Sequence, residues 1–193
     1  MGRKRGYDEA AVLSGAMHAF RRAGYERVSV RDLEQATSLS AGSLYHAYGG
    51  KDGLFDAAFA HYNMAVLRAR IERYAPAGSG VDGLEELFST LLEEPDGQRL
   101  GCLITNTAVE LGAEAVHPGV RAGLAILEDT FAARLSSLVG TAWPEEEIAA
   151  CATGLLALYQ GVLVLVRGGH DLRRTREMIG SEFNALRRRV DER

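Results

Sequence analysis

Residues 20–54 decide the fold, and they read FRRAGYERVSVRDLEQATSLSAGSLYHAYGGKDGL. Ser29 is a good N-cap for a short helix over residues 30–37. A tight turn at residues 38–40 leads into a second short helix over 41–48, which a pair of glycines ends. Two short helices joined by about three to four residues are typical of a helix-turn-helix motif.

The rest of the chain also favours helices. Its apolar residues recur at helical rather than alternating spacing, and it contains only four prolines. A first helix is expected to begin near Asp8 and to end at Gly24. Further helices are expected over residues 51–74, 81–92, 103–114, 118–139, 144–167 and 172–191. The sequence therefore predicts an all-α protein of about nine helices.

Helical spacing also predicts which side chains are buried. On the first helix, the predicted apolar face consists of Ala10, Leu13, Met17 and Phe20. On the helix over 51–74, it consists of Leu54, Phe55, Ala58, Phe59, Tyr62 and Val66. Within the helix-turn-helix, we expect Ala36 to let the two short helices approach each other closely.

The net charge of the chain is −4, and it is unevenly distributed. Residues 1–53 contain eight Lys and Arg against six Asp and Glu, a net +2, whereas residues 54–193 contain fourteen against twenty, a net −6. A small basic head on an acidic body suits a protein that touches DNA at one end only. A solvated surface with a basic N-terminus is the alternative. The run Arg3-Lys4-Arg5 is either an arm that reaches DNA or a solvating tail.

One constellation within residues 20–54 resembles the N-terminal DNA-binding domain of TetR-family regulators. The matching positions are Phe20, Gly24, Tyr25, Ser29, Val30, Arg31, Asp32, Leu33, Ala36, Ser40, Gly42, Ser43, Leu44, Tyr45, Tyr48, Lys51 and Leu54. The resemblance implies a three-helix helix-turn-helix DNA-binding domain over residues 1–53 and a helical ligand-binding and dimerisation domain over 54–193. Two positions depart from the family pattern: Ser38 stands where glycine is usual in the turn, and Ala41 stands where a larger polar residue is common.

By this resemblance, the helix that begins at Ala41 is the recognition helix, whose first residues meet base edges in the major groove. Lys51 and the amides that start the next helix form a natural phosphate site. The predicted DNA contacts are Ser29, Arg31, Ser40, Ala41, Gly42, Ser43, Tyr45, His46 and Lys51. For each single residue a structural role is an equal alternative, since serines also cap helices and Tyr45 can pack in the core. The expected partner is a double-stranded, pseudo-palindromic DNA operator.

Residues 101–111 resemble a motif that flanks the ligand cavity in one branch of the family. Cys102 stands near a helix N-terminus, where the helix dipole favours a thiolate, so it is a candidate redox sensor. The alternative for Cys102 is a buried, inert cysteine. Asn106 and Glu110 lie one turn apart and could either face the cavity or make structural hydrogen bonds.

The expected ligand is a small-molecule effector held in the helical domain. The candidate pocket residues are Tyr62, Phe88, Cys102, Asn106, Glu110, Phe131 and Tyr159. Aromatic residues at helical spacing are more often part of the core, and this is the alternative for the four aromatic candidates.

The helix over 144–167 is apolar nearly all round, so it must be covered on both sides. The last helix can supply one cover and a partner chain the other, which predicts a homodimer. The polar Thr153 and Gln160 favour a buried helix over a membrane span. The low cysteine count and the lack of an apolar leader in this sequence predict a cytoplasmic protein.

The sequence shows little that is typical of catalysis. It has no glycine-rich phosphate loop, no carboxylates paired for acid–base work and no nucleophile beside a recognisable base. His61, His117 and His170 show no ligand spacing, so neither a metal nor a cofactor is expected. The function that we expect is a dimeric transcription regulator, a repressor released by a small molecule or by modification of Cys102, and not an enzyme. The alternatives are a helical enzyme for hydrophobic substrates and an interaction module that no longer binds DNA.

Overall fold

The computed structural model describes residues 7–93, 99–113 and 115–192, and the predicted arm Arg3-Lys4-Arg5 lies outside these residues. The helices are α1 (Glu9–Ala23), α2 (Val30–Thr37), α3 (Ala41–Tyr48), α4 (Lys51–His61), a π-helix (Tyr62–Leu67), α5 (Arg68–Tyr74), α6 (Gly80–Ser89) with a 3₁₀ turn (Thr90–Leu92), α7 (Leu103–Leu111), α8 (Pro118–Val139), α9 (Glu145–Arg167) and α10 (Leu172–Asp191). The predicted all-α class is confirmed. If Lys51–Tyr74 is counted as one helical segment and Gly80–Leu92 as another, the described part of the chain forms nine, as expected.

The chain divides into two compact units. The first unit comprises residues up to Leu67 together with Cys102–Arg121, and the second comprises Arg68–Gly101 together with Ala122–Arg193. The helix-turn-helix therefore shares its unit with α7 and with the start of α8. The functional division at residues 53 and 54 stays a prediction, because compactness alone does not assign function to a segment.

Both ends of α1 form as their residues predict. The Asp8 side chain is the N-cap and accepts hydrogen bonds from the backbone N–H groups of Ala10 at 3.0 Å and Ala11 at 3.3 Å. At the other end Gly24 has a φ of +88°, and its N–H donates to the carbonyl of Phe20 at 2.8 Å. Only glycine adopts such a φ without strain, which explains why the helix stops there.

The buried face of α1 differs from the predicted one. Its buried residues are Val12, Ala16, Met17 and Phe20, whereas Ala10 is exposed and Leu13 half-buried. The reason is the position at which α2 crosses α1, because a Cβ added to Gly15 would lie 2.0 Å from the carbonyl oxygen of Ala36.

The prediction that Ala36 lets α2 and α3 approach each other closely was also wrong. Its backbone carbonyl lies against α1, while its own side chain is exposed and brings no helices together. The close approach in this domain is made by the glycine of α1, which the sequence pattern did not single out.

The helix after Lys51 changes its winding at Tyr62. Leu54, Phe55, Ala58, Phe59 and Tyr62 are buried as predicted, but Val66 is 37% exposed and Leu67 is buried in its place. A π-turn holds one residue more than an α-turn, so the buried face shifts by one position across residues 62–67. Continuous α-helical spacing could not predict that shift.

Aromatic side chains fill the centre of the second unit. The ring of Phe88 lies 5.7 Å from Phe131, 5.2 Å from Tyr159 and 5.0 Å from Phe183, measured between centroids. All four residues are at most 2% exposed. Burying each such side chain stabilises a fold by roughly 1.5–3 kcal/mol, so these rings are a major part of this core.

Candidate nucleic-acid interface

Ser29 begins the helix-turn-helix as the N-cap of α2. Its hydroxyl accepts a hydrogen bond from the N–H of Asp32 at 3.2 Å, and its own N–H donates to the Asp32 carboxylate at 2.9 Å. The hydrogen bonds from Ser29 hold the pKa of the Asp32 carboxyl below its usual value. Ser29 thus performs the capping role that was its alternative, while Arg31 projects from the first turn as an exposed cation.

The turn expected at residues 38–40 is present, and Ser38 takes the left-handed conformation in it, with a φ of 57°. An L-residue pays roughly 1–2 kcal/mol for that conformation, which is why glycine is usual in such a turn. Thr37 supports the turn: its hydroxyl donates to the carbonyl of Leu33 at 2.6 Å and accepts from the N–H of Leu39 at 3.3 Å.

Side chains on both sides of the turn cap the start of α3. The Ser40 hydroxyl accepts the N–H of Ser43 at 3.3 Å, and the carboxylate of Glu34 accepts the N–H of Ala41 at 2.6 Å. Because these bonds satisfy backbone groups that a helix start leaves open, the two short helices are tied together by polar contacts as well as by packing.

One side of α3 is exposed. Leu44 is its only buried residue, while Gly42, Ser43, Tyr45 and His46 are exposed, Tyr45 by 53%. A Cβ added to Gly42 would meet nothing within 4 Å. The first turn of α3 therefore combines small side chains with an open surface, as close approach to the floor of a DNA groove requires.

Lys51 is held at the N-terminus of α4 by the turn that follows α1. Its Nζ donates to the carbonyl of Glu26 at 3.3 Å and lies 4.8 Å from the centre of the Tyr25 ring. The Tyr25 hydroxyl donates to the carboxylate of Asp52. This bond, together with partial burial, raises the pKa of Tyr25 to about 12. A cation and a helix start thus lie side by side, an arrangement suited to a phosphate.

The structure brings all nine predicted DNA-contact residues together in the first unit, on α2, α3 and the start of α4. Their contacts with DNA stay a prediction. The pocket candidates are divided: Tyr62, Cys102, Asn106 and Glu110 belong to the first unit, and the Phe88, Phe131 and Tyr159 rings pack against one another in the second.

The two cysteines have different surroundings. Cys102 is the N-cap residue of α7 and 4% exposed, and its Sγ lies 3.0 Å from the hydroxyl of Tyr62, which is 7% exposed. Cys151 lies half-buried on α9, where burial raises the pKa of its thiol. Of the two, Cys102 is therefore the one that lies at a helix N-terminus.

Asn106 and Glu110 bind the end of α1. The Asn106 amide donates to the carbonyl of Arg21, and the Glu110 carboxylate accepts the N–H groups of Tyr25 and Glu26. These are structural hydrogen bonds, the second of the two roles expected from the sequence. Their partners lie about 85 positions away in the chain, so no local pattern could identify them.

Sequence reasoning missed several contacts that support this surface, although Tyr25 was among the positions that match the family pattern. Glu34 caps α3, Gly15 admits α2, and Tyr25 and Asp52 position Lys51. Local spacing carries no signal for these contacts. Within residues 7–93, 99–113 and 115–192, no group of three or more His, Cys, Asp or Glu side chains is placed to hold a metal ion.

Comparison with known proteins identifies sequences that are similar to the part of the chain that forms this surface. The family described as "Bacterial regulatory proteins, tetR family" matches residues 12–58. The HTH-type transcriptional regulator YezE of Bacillus subtilis is 34% identical over 113 residues, 57% of this chain and 58% of that protein. The HTH-type transcriptional repressor AcnR of Corynebacterium glutamicum is 36% identical over 85 residues, 44% of this chain and 40% of that protein. These alignments thus span about half the length of the curated relatives.

A solved structure matches over nearly its full length. It is a cysteine mutant of the TetR-family regulator CifR in complex with 26-bp double-strand operator DNA, and its chain is 27% identical to this one. The match covers 95% of this chain and 99% of that chain, with a TM-score of 0.78. The proteins named in these comparisons are transcription regulators, a class distinct from the helical enzyme considered above.

Proposed function

Because this chain belongs to the TetR family of transcription regulators, we propose that it is a dimeric repressor that reads a pseudo-palindromic operator with α3. The observation that carries the proposal is the open first turn of α3, where small residues are exposed beside a cation held at the start of α4. Repression is favoured over activation because relatives such as AcnR are named repressors.

Gly42 offers the sharpest test of DNA reading. Its Cβ position is empty space, so Gly42→Leu leaves the fold intact while adding bulk to the side of α3 that would face the bases. We expect the Kd for the operator to rise about ten- to hundred-fold, the usual cost of spoiling one base contact. The measurement is fluorescence anisotropy with duplexes from the DNA around the gene, at two salt concentrations.

The matched control for this test is Ala60→Leu, which places the same leucine side chain at an exposed position of α4. The control is expected to bind like the wild type. Salt-dependent binding by the wild-type protein would reflect phosphate contacts. Equal operator affinity for Gly42→Leu and the control would refute reading by α3.

The exposed side of α9 supports dimerisation. Its buried residues include Leu155, Tyr159 and Val162, but the opposite side exposes small and apolar residues. These are Ala150, Thr153, Gly154, Ala157, Gly161, Val164 and Leu165. Val164, in the last turn of α9, is 52% exposed, and a second copy of the chain would cover it.

A cytoplasmic location is part of the proposal. By length and composition alone, α9 could cross a membrane, and 33% of its most apolar 18-residue stretch is buried inside the protein. Helices of soluble proteins that pack on both sides meet the same criteria. The proposed dimer covers the exposed side of α9 with protein, so no lipid is needed.

Release from the operator is proposed to follow binding of a small molecule or modification of Cys102. The contact between the Cys102 thiol and the Tyr62 hydroxyl supports the second route, because any atom added to this buried sulfur must displace a neighbour. We expect hydrogen peroxide to weaken operator binding of the wild type about ten-fold and to leave Cys102→Ser unaffected. Cys151→Ser is the control and should respond like the wild type. If Cys102→Ser also left the operator on oxidation, Cys102 would not be the sensor.

A further inference from the structure

We propose that α7 mechanically couples its own N-terminus, where Cys102 meets Tyr62, to the DNA-reading surface by means of Asn106 and Glu110. This inference rests on the proposed function, since it names how a change in the sensing segment would reach the reading helices. Asn106 and Glu110 are positioning residues: their hydrogen bonds hold the end of α1 and the turn whose Glu26 carbonyl accepts the bond from Lys51.

Two side chains of α7 make hydrogen bonds to the end of α1 and to the turn after it. One Glu110 carboxylate oxygen accepts the N–H of Tyr25 at 2.8 Å, and the other accepts the N–H of Glu26 at 2.9 Å. One helical turn earlier, the Asn106 amide donates to the carbonyl of Arg21 at 3.1 Å. A carboxylate shared between two successive backbone N–H groups fills a backbone anion site, and such charge-assisted bonds are stronger than neutral ones. The end of α1 is therefore held through both its donors and its acceptors.

Gly24 makes the approach of Glu110 possible. A Cβ at Gly24 would lie 2.6 to 2.9 Å from the atoms of the Glu110 carboxyl group, closer than real contacts allow. The glycine at the end of α1 thus meets two requirements at once, the positive φ of the helix end and the space for a carboxylate.

The same turn holds the candidate phosphate contact. The carbonyl of Glu26 accepts the bond from Lys51 Nζ, and the ring of Tyr25 lies beneath that ammonium. The hydroxyl of Tyr25 donates to Asp52. The two residues whose N–H groups bind Glu110 therefore also position the N-terminus of α4. A displacement of α7 must move this turn or break its hydrogen bonds with Glu110.

The other end of α7 lies where a chemical event could act. Cys102 is the N-cap residue, and its carbonyl accepts the N–H of Asn106 at 2.9 Å in the first turn of the helix. Its buried thiol contacts Tyr62 in the π-helix, and the next residue, Asn63, donates from its amide to the carbonyl of Gly119 at 2.8 Å. π-turns are rare and frequently mark functional sites. Because both sides of the thiol are packed, added bulk there would push on α7.

A double-mutant cycle on the full-length protein tests the coupling. Cys102→Met lengthens this buried side chain by two carbon atoms and pushes on α7, while Glu110→Gln replaces the carboxylate that accepts two N–H groups. We expect each single variant to weaken operator binding about ten-fold. In the Glu110→Gln background, Cys102→Met should have less than about two-fold further effect, because the connection is already broken. Glu72→Gln, an equal charge change at an exposed position of α5, is the control and should bind like the wild type.

Hydrogen exchange at two amides separates transmission from simple support. Cys102→Met should accelerate exchange at Tyr25 and Glu26, whose N–H groups bind the Glu110 carboxylate. Wild-type affinity in Glu110→Gln would overturn the proposal. Additive effects of Cys102→Met and Glu110→Gln on operator binding would also overturn the proposal. Glu110 would then stabilise the DNA-reading helices without transmitting a displacement of α7 to them. If Cys102→Met does not fold, Tyr62→Phe, which removes the hydroxyl that contacts the thiol, takes its place in the cycle, and its effect on operator binding should likewise disappear in the Glu110→Gln background.

The failure of the proposed function gives a different result. If the wild type binds no operator, the repressor proposal fails, yet the exchange rates of Tyr25 and Glu26 in Cys102→Met still decide whether α7 moves the turn. Unchanged exchange in a folded Cys102→Met protein would refute the coupling whatever the DNA result.

Discussion

Gly15→Ala is expected to destabilise the protein by at least about 2 kcal/mol, although alanine is normally better than glycine in a helix. The reason is the crossing of α1 and α2, where the new Cβ would lie 2.0 Å from the carbonyl oxygen of Ala36. The obstructing atom belongs to the backbone, so no side-chain rotation can relieve the clash, and α2 must move away from α1. The measurement is the free energy of unfolding from urea denaturation.

Gly42→Ala is the matched control for Gly15→Ala, because Gly42 is also helical and its Cβ position is empty. The control should gain about 0.5–1 kcal/mol of stability, the ordinary helix preference for alanine. Opposite signs at the two glycines would show that tertiary contact outweighs propensity at position 15. A Gly15→Ala protein as stable as the wild type would mean that α1 and α2 do not cross as described.

Gly154→Arg is expected to convert the proposed dimer into a monomer and to weaken operator binding by at least about 100-fold. Gly154 lies on the exposed side of α9, and a Cβ added there meets nothing within 4 Å of its own chain. The fold of the single chain is therefore unaffected, whereas the long arginine side chain would occupy the surface on which the proposed partner packs. Sedimentation velocity measures the oligomeric state, and anisotropy measures the operator Kd.

The shape of this surface explains why the effect should be large. A groove of about 560 Å³ runs between α9 and α10 and is lined by Cys151, Gly154, Leu155, Leu158, Leu186 and Arg189 among others. A partner helix that entered this groove would pass close to the backbone at Gly154. Ala69→Arg, at an exposed position of α5, is the control and should leave the dimer intact. A Gly154→Arg protein that stays dimeric would place the interface elsewhere.

The boundary between the two compact units differs from the predicted division at residues 53 and 54. The proposed coupling through α7 offers a functional reason for this difference. Residues after 53 were assigned to ligand binding and dimerisation, yet α7 belongs to the same compact unit as the helix-turn-helix. In the proposed coupling, α7 binds the end of α1 directly and transmits its displacement over one turn of backbone. A ligand can shift such an arrangement only by binding its two forms with different affinity.

Local sequence features predicted the helical segments and several of their ends, although α7 ends at Leu111 rather than at the predicted residue 114. Asp8, Ser29 and Ser40 cap helices, and glycines follow α1 and α3, at the positions that the sequence predicted. These features depend on contacts within about four residues, which a sequence displays directly. The helix-turn-helix and the family were recognisable for the same reason.

The contacts between segments that are distant in the chain became visible only in the folded structure. The α1–α2 crossing at Gly15 and the bonds from Glu110 to the Tyr25–Glu26 turn join residues far apart in the chain. The π-turn at Tyr62–Leu67 moved the buried position from Val66 to Leu67. Helical periodicity reports that a face is apolar, but it cannot report which helix crosses it, at which residue, or with which polar partner. These are properties of the packed chain, because they arise only when segments remote in sequence come within a few ångströms of each other.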